Sequence, residues 1–314
     1  MPRKFPHMIY YILTTTKNKT PPLIIMAKQL KYNCINHPMY IIKANGEKEL
    51  FNRNKLATTL ARIGLKTDLI DKVINKVETT LSRRPTSQEV IRRALVELQK
   101  NNIAAAARYN LKRAIMNLGP TGFPFEQYIA RLLETYGYEV KTNIHAKGFC
   151  IYHELDIVAH KENRRVMIEC KYHNSPGLRS DVKVTLYTYA RFLDIKKSWE
   201  QEKNSLNDFH EVWLITNTKC THDAIQYAKC AGIKIISWRY PENQSLEQLI
   251  DNKKLYPVTI LLNGNKMIFS KLTQAGYLLT SDLAAATLAD ISKKTGLKER
   301  LLYPIYQEAT ALGK

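Results

Sequence analysis

The stretch that most constrains the fold of this chain runs from residue 154 to 171. Glu154-Leu155-Asp156-Ile157-Val158-Ala159 and Arg165-Val166-Met167-Ile168-Glu169-Cys170-Lys171 are short β-branched and apolar runs, separated by the charged residues His160 to Arg164. Such runs around a turn-forming stretch read as a hairpin. Alternation in the second limb puts Glu169 and Lys171 on one face and Ile168 and Cys170 on the other. A compatible register then sets Asp156 beside Glu169. The bland alternative is a surface cross-strand ion pair, worth only about 0.2–1 kcal/mol. Two carboxylates and one ammonium converging on a strand end are costly for a core, because unpaired buried charge is strongly disfavoured. The pattern points to chemistry.

At 314 residues the chain exceeds a single domain of roughly 100–200 residues, so two or three domains are expected. Lys and Arg number 48 against 28 Asp and Glu, a formal charge of +20. That excess favours a polyanionic partner, nucleic acid ahead of an anionic membrane. No stretch approaches the roughly 18 apolar residues of a membrane-spanning helix. Cys34, Cys150, Cys170, Cys220 and Cys230 are odd in number and form no C-x-x-C pair, which fits a reducing cytoplasm. Residues 1–35 read as a basic extension: 1–31 carry six Lys and Arg and no acid. A transit peptide shares that composition, but Pro21-Pro22 interrupts any amphipathic helix, and Met26 is an alternative start.

Residues 36–118 form the first expected domain. Tyr40 to Ala44 and Glu47 to Phe51 flank Asn45-Gly46, the strongest short hairpin signal. A helix follows, capped by Asn52 or Asn54, with Leu56, Leu60 and Ile63 at helical spacing before Gly64. Residues 68–81 repeat the pattern. Arg83-Arg84-Pro85 breaks it, and Thr86 with Glu89 three residues on predicts a capping box for a third helix. Ala104 to Leu118 is the fourth. The run Ile-Lys-x-x-Gly-x-x-Glu-x-Phe-x-x-x-Lys-Leu from Ile42, then Thr86-Ser87 and Ala107-Arg108-Tyr109, resembles the ATP-cone, the regulatory nucleotide-binding domain of ribonucleotide reductases and their repressors. The resemblance implies Lys43 and Lys55 as phosphate or base contacts, Glu49 and Thr86 as pocket polar groups, and Arg108 as a structural or phosphate-side residue. Ala44 departs from the Arg that the family often has there. Taken alone, each lysine would be a solvated surface group. The implied effector is ATP or dATP, sensed rather than hydrolysed, since no Gly-x-x-x-x-Gly-Lys-Ser/Thr loop occurs.

Residues 119–243 open on the turn-rich Gly119-Pro120-Thr121-Gly122. Phe125, Tyr128, Ile129, Leu132 and Leu133 predict a helix with Glu126 near its start, and Tyr138-Glu139-Val140 a strand. After the hairpin, Val184 to Lys196 predicts a helix with Leu186, Tyr189, Ala190 and Leu193 on its apolar face. Glu211 to Asn217 reads as a strand buried on both faces. Asp223 to Ala231 is a helix ending at Gly232, and Ile233 to Trp238 a further strand, a succession that implies a right-handed parallel crossover. Glu126, Leu-Asp-Ile-Val, Ile-Glu-Cys-Lys-Tyr and Val-Trp-Leu-Ile-Thr-Asn together resemble the PD-(D/E)xK nucleases, and among them the Mrr-like restriction endonucleases. Leu155 stands where Pro is usual. A phosphodiester is anionic, so water attack on it needs a cation. Mg²⁺ takes hard oxygen ligands and keeps several waters, which suits Asp156, Glu169 and the Cys170 carbonyl. Lys171 would orient or deprotonate the attacking water, with Glu126 as a supporting carboxylate. Cys170 reads as a core thiol, Tyr172 and Tyr189 as packing, and His153, His160 and His173 as surface groups.

Residues 244–314 alternate short helical runs with glycines and look like paired helix–hairpin–helix motifs, which hold the DNA backbone without reading sequence. Gly276 and Gly296 would be the hairpin glycines, offering amides to phosphates, with Lys293, Lys294 and Lys298 around the second. A helical protein-interaction module is the competing reading, and Asn263-Gly264 could mark a β-hairpin. The expected whole is a multidomain α/β protein: a mainly α cone with a β-hairpin, a central restriction-endonuclease-like α/β/α mixed sheet, and a small helical C-terminal domain. Its expected function is Mg²⁺-dependent DNA endonuclease under ATP or dATP control, working as a homodimer. The alternative is a nucleotide-sensing DNA-binding regulator that does not cut.

Overall fold

The computed structural model describes residues 39–43, 46–175, 177–202 and 209–313. The basic extension, Cys34, Ala44 and Asn45 lie outside them. The first unit opens with an antiparallel hairpin of β1 (Tyr40–Ile42) and β2 (Lys48–Leu50), Ile42 pairing with Lys48. Four helices follow: α1 (Arg53–Arg62), α2 (Thr67–Thr80), α3 (Ser87–Asn101) and α4 (Ile103–Met116). Asn52 caps α1 by accepting from the Lys55 amide, and Gly64 closes the following turn at φ +81°. The capping box at α3 is only half made. Thr86 accepts from the Glu89 amide, but the Glu89 carboxylate accepts from the Ser82 amide and hydroxyl instead of returning to Thr86.

Leu60, Val73, Ile74, Val77, Ala94 and Leu98 make the core of this unit. Helix α4 belongs to two cores at once. Its early Ala105 and Ala106 pack into the cone, whereas Leu111, Ala114 and Ile115 belong to the core below the central sheet.

The central sheet has five strands in the order β3-β4-β5-β7-β9: β3 (Glu139–Lys147), β4 (Tyr152–Lys161), β5 (Arg164–Lys171), β7 (Glu211–Thr216) and β9 (Ile233–Ile236). The first three form an antiparallel meander; β5, β7 and β9 run parallel. Strand β3 is longer than its apolar pattern predicts, because it is an edge strand with polar residues on its open face. Between β5 and β7 lie the two-residue strand β6 (Arg179–Ser180) and α6 (Val182–Glu202); β6 pairs in parallel with β8 (Lys219–Cys220). Helix α7 (His222–Ala231) ends at Gly232, whose φ of +75° suits a residue without a Cβ.

One face of the sheet is covered by α5 (Phe123–Thr135), the other by α6 and α7, giving the α/β/α layering. The helix α6 does not bury the face that its leucines predict. Leu186 and Leu193 are each 45% exposed, while Thr185, Thr188, Arg191, Ile195 and Ser198 are buried. The two threonines can face inward because each hydroxyl donates to a carbonyl of its own helix, Thr185 to Val182 and Thr188 to Val184.

The C-terminal segment contains α8 (Leu246–Asn252), a 3₁₀ turn (Val258–Ile260), α9 (Lys266–Gln274), α10 (Thr280–Ala285), α11 (Leu288–Thr295) and α12 (Glu299–Gly313). It shares one continuous core with α5 and the sheet. The Thr259 hydroxyl donates to the Ala114 carbonyl at 2.7 Å, and the Tyr128 hydroxyl to the Leu255 carbonyl at 2.6 Å. Asn263-Gly264 does not turn a β-hairpin. Asn265 caps α9, and Asn263 is held by the Glu308 carboxylate.

Candidate active site

Asp156 sits where β4 breaks its alternation. Ile157 pairs with Ile168, so the next position opposite Asp156 is Glu169. On the other side, Asn143 in β3 takes φ +54°, and the ladder skips from Thr142↔Ile157 to Ile144↔Leu155. Past this kink Leu155 and Ile144 turn to the α6 side, although Ile157 packs on the α5 side. On the β5 side the ladder ends at Ile157↔Ile168, and beyond it the Asp156 carboxylate accepts from the Cys170 amide at 2.7 Å. This bond fixes Asp156 against β5. Cys170 itself is buried in the core on the α5 side, and burial pushes its thiol well above the usual range.

Four charged groups meet there. Glu169 is largely desolvated and stands beside Asp156, which together push its pKa up to about 7 against the pull of Arg191 and Lys171. Glu126, from the first turn of α5, is likewise raised to about 7 by desolvation and then by Asp156 and Glu154. Asp156 is raised by desolvation, opposed by its bond from the Cys170 amide and by Arg191. Lys171 is exposed at the end of β5.

Arg191 is the residue that sequence reasoning missed. It reaches in from α6, 7% exposed, and its guanidinium donates to the Glu169 carboxylate and to the Glu154 carbonyl. Tyr187, one turn earlier, lies under it with the ring centre 5.2 Å away. The only signal was an arginine three residues after Thr188 and four before Ile195, on a face that looked polar.

A polar layer beside Lys171 was also missed. The His173 amide donates to Asn217 Oδ1 at 2.9 Å, Asn217 Nδ2 donates back to the His173 carbonyl at 2.7 Å, and His173 Nε2 lies 3.1 Å from the Ser180 hydroxyl. Burial and the Lys171 cation lower the His173 pKa, with Asp181 opposing them. The surface reading of the flanking histidines fails at His153. It is 8% exposed and bonded at 2.8 Å to Asp194, which also receives the Cys150 amide. His160 is exposed. Tyr172 packs on Phe125 and donates to the Met116 carbonyl; Tyr189 packs on Phe192 and Tyr227.

Among the described residues, no group of three or more His, Cys, Asp or Glu side chains is set closely enough to enclose a metal. What the site provides is a partial shell: the Asp156 and Glu169 carboxylates, with the Cys170 carbonyl on the same strand. All three donors are hard oxygens, two of them carboxylates, with the Glu126 carboxylate nearby, which fits a divalent cation that keeps several waters.

In the cone, Glu49 lies between Lys43, at 3.1 Å, and Lys55, at 3.3 Å. Hydrogen bonds from these two lysines hold the Glu49 carboxyl below its usual pKa. Thr86 adjoins this cluster through a bridge between Ile42 and Thr86. Arg108 is not part of it and lines a cavity on α4 instead. At the C-terminal end, Gly276 and Gly296 take φ +87° and +67°. Their amides are not free for phosphate: Gly276 N–H donates to Thr273 and Gly296 N–H to Ser292, as cap bonds. Lys293, Lys294 and Lys298 are exposed around the second turn.

Residues 39–117 match the ATP cone domain, and residues 120–240 match the restriction endonuclease domain of the Mrr type. An uncharacterised protein of Archaeoglobus fulgidus is 42% identical over 158 residues, half of this chain and 84% of the relative. The crystal structure of AF1548, a protein of unknown function, covers 62% of this chain and 99% of its own at 37% identity, with a TM-score of 0.53. Can2 from Sulfobacillus thermosulfidooxidans, solved with cyclic tetra-adenylate, is similar only at 15% identity and a TM-score of 0.31, covering 64% of this chain and 52% of its own, too remote to bear on this one. With the carboxylates of β4 and β5 on a mixed sheet that follows a cone domain in the chain, the chain belongs to the Mrr-like restriction endonucleases of the PD-(D/E)xK superfamily, with an N-terminal ATP-cone domain.

Proposed function

We propose that this protein is a Mg²⁺-dependent DNA endonuclease whose cutting is set by ATP or dATP at the cone. The observation that carries the reading is the juxtaposition of Asp156 and Glu169, locked by the Asp156 bond to the Cys170 amide and flanked by Lys171 and Glu126. A divalent cation held by Asp156, Glu169 and the Cys170 carbonyl would neutralise charge developing on the phosphate and acidify water. Lys171, exposed at the strand end, orients the attacking water and donates to the phosphate oxygens. Glu126, with a pKa near 7, can hold or release a proton at neutral pH. Arg191 keeps Glu169 neutralised until the site is loaded.

Substrate DNA is supported by the family and by the net charge of +20. Lys293, Lys294 and Lys298 add grip on the backbone through their side chains. Lys43 and Lys55 would exchange Glu49 for nucleotide phosphates. Cutting both strands with one site per chain calls for a dimer, and the exposed Leu186, Tyr187 and Leu193 of α6 offer an apolar face for it.

The test is substitution at the strand end. Lys171→Ala should lower DNA cleavage by about 10²–10⁴-fold while DNA affinity, read by gel shift, stays near wild type. Undiminished cutting would reject the role. Calorimetry of the full chain with ATP and with dATP should show binding in the micromolar range, and absence of heat with both would reject nucleotide control by ATP or dATP.

A further inference from the structure

A cavity of about 410 Å³ lies where the cone meets the central domain. One wall comes from the cone: Arg62 and Ile63 at the end of α1, Arg108 and Leu111 on α4. The other comes from the segment after β9 and from α8, including Arg239, Ser245 and Gln248. The volume is within the roughly 300–1,000 Å³ usual for small-molecule sites.

Three arginines and three carboxylates line it, Arg62, Arg108 and Arg239 with Glu242, Glu247 and Asp251, but the carboxylates all stand on the far wall and the cone wall carries only cations. On the far wall, Arg239 is paired with Glu247 at 3.1 Å, and Asp251 accepts from the Tyr256 hydroxyl at 2.7 Å. On the cone wall, neither Arg62 nor Arg108 has an ion pair among the described residues. The Arg108 Nε is buried and has no hydrogen-bond partner there. A buried donor without a partner is costly, and an anionic ligand would supply one. The same cavity has an apolar floor in Ile63 and Leu111 and neutral hydrogen-bonding groups in Ser245 and Gln248.

We infer that this cavity is a binding site for a phosphate-bearing small molecule of nucleotide size, separate from the Lys43–Glu49–Lys55 cluster and shared between cone and central domain. Arg62 and Arg108 take the phosphates, the apolar floor takes a ring, and the polar far wall takes hydroxyl or amino groups. A ligand there contacts both domains at once, so its occupancy couples them directly.

The experiment uses the full chain carrying Lys43→Ala and Lys55→Ala, which removes the hairpin cluster and separates the two sites. ATP, inorganic tripolyphosphate and adenosine are titrated by calorimetry. ATP should still bind at about one per chain, and adding Arg62→Ala should weaken it roughly tenfold or more. Arg62 is exposed, so the substitution leaves the core intact, and Arg62→Glu should abolish binding. Tripolyphosphate binding as well would identify phosphate as sufficient; ATP binding without it would require the nucleoside too. The inference is overturned if the hairpin variant binds neither ATP nor tripolyphosphate, or if adenosine binds as tightly as ATP. It is equally overturned if the exposed Arg84→Ala weakens binding as much as Arg62→Ala.

Discussion

At the scale of single residues, the site is a balance between carboxylates and two cations. Residue type and strand alternation single out Asp156, Glu169 and Lys171 as candidates, whereas Glu126, on a helix, is suggested only by the family resemblance. Arg191 was not legible, since nothing local distinguishes a buried arginine on a helix from a surface one. Its removal leaves Glu169 desolvated beside Asp156 without a guanidinium. Breaking a buried pair from one side typically costs about 3–5 kcal/mol. Arg191→Met should therefore melt well below wild type in chelator and recover much of the difference in Mg²⁺, as thermal unfolding would read; an equal deficit in both conditions would contradict the role. The pH dependence has a definite sign. Glu126 and Glu169 bind protons more tightly folded than unfolded, with folded values near 7 against 4.5. Their contribution is full below about 4.5 and lost as pH rises through 7. Metal-free protein should lose stability over that interval, with a shallower slope in Glu126→Gln, while affinity for Mg²⁺ rises across it because the ligands must be ionised.

At the scale of elements, the kink between β3 and β4 matters most. Asn143 holds φ +54°, a conformation that Asn tolerates and a β-branched residue does not. Asn143→Val should cost about 1–2 kcal/mol and cut cleavage more than its stability loss explains, because the kink aims Asp156 at β5; Asn143→Gly should keep both. Equal activity in the two variants would show that the kink has no part in the site. The hairpin limbs, the buried strand β7 and the helix ending at Gly232 were readable from β-branched runs and a terminal glycine. The helix α6 was read with the wrong face inward. Its threonines satisfy their own hydroxyls, so Thr185 and Thr188 pack like small apolar residues while the leucines face out. The glycine turns of the C-terminal segment were placed correctly, but their amides are consumed by helix caps, which periodicity does not reveal.

At the scale of the whole molecule, α4 joins the two cores, and the C-terminal helices share the sheet's core instead of standing apart. This integration was invisible in the sequence, where glycine and proline punctuation suggested separable units. The outward leucines of α6 point to assembly: Leu193→Glu should shift a dimer toward monomer in sedimentation, with the fold unchanged, and a wild type that sediments as a monomer at all concentrations would contradict the dimer. The central claim is that Asp156 and Glu169 form a metal-dependent phosphodiesterase site. The most direct measurement is incubation of supercoiled plasmid with purified wild type and Asp156→Ala protein, in Mg²⁺ or chelator, with and without ATP. The account predicts nicking or linearisation by wild type only in Mg²⁺ and none by Asp156→Ala, although both bind the plasmid. Binding by wild type without cleavage under any metal, or cleavage by Asp156→Ala equal to wild type, would contradict it.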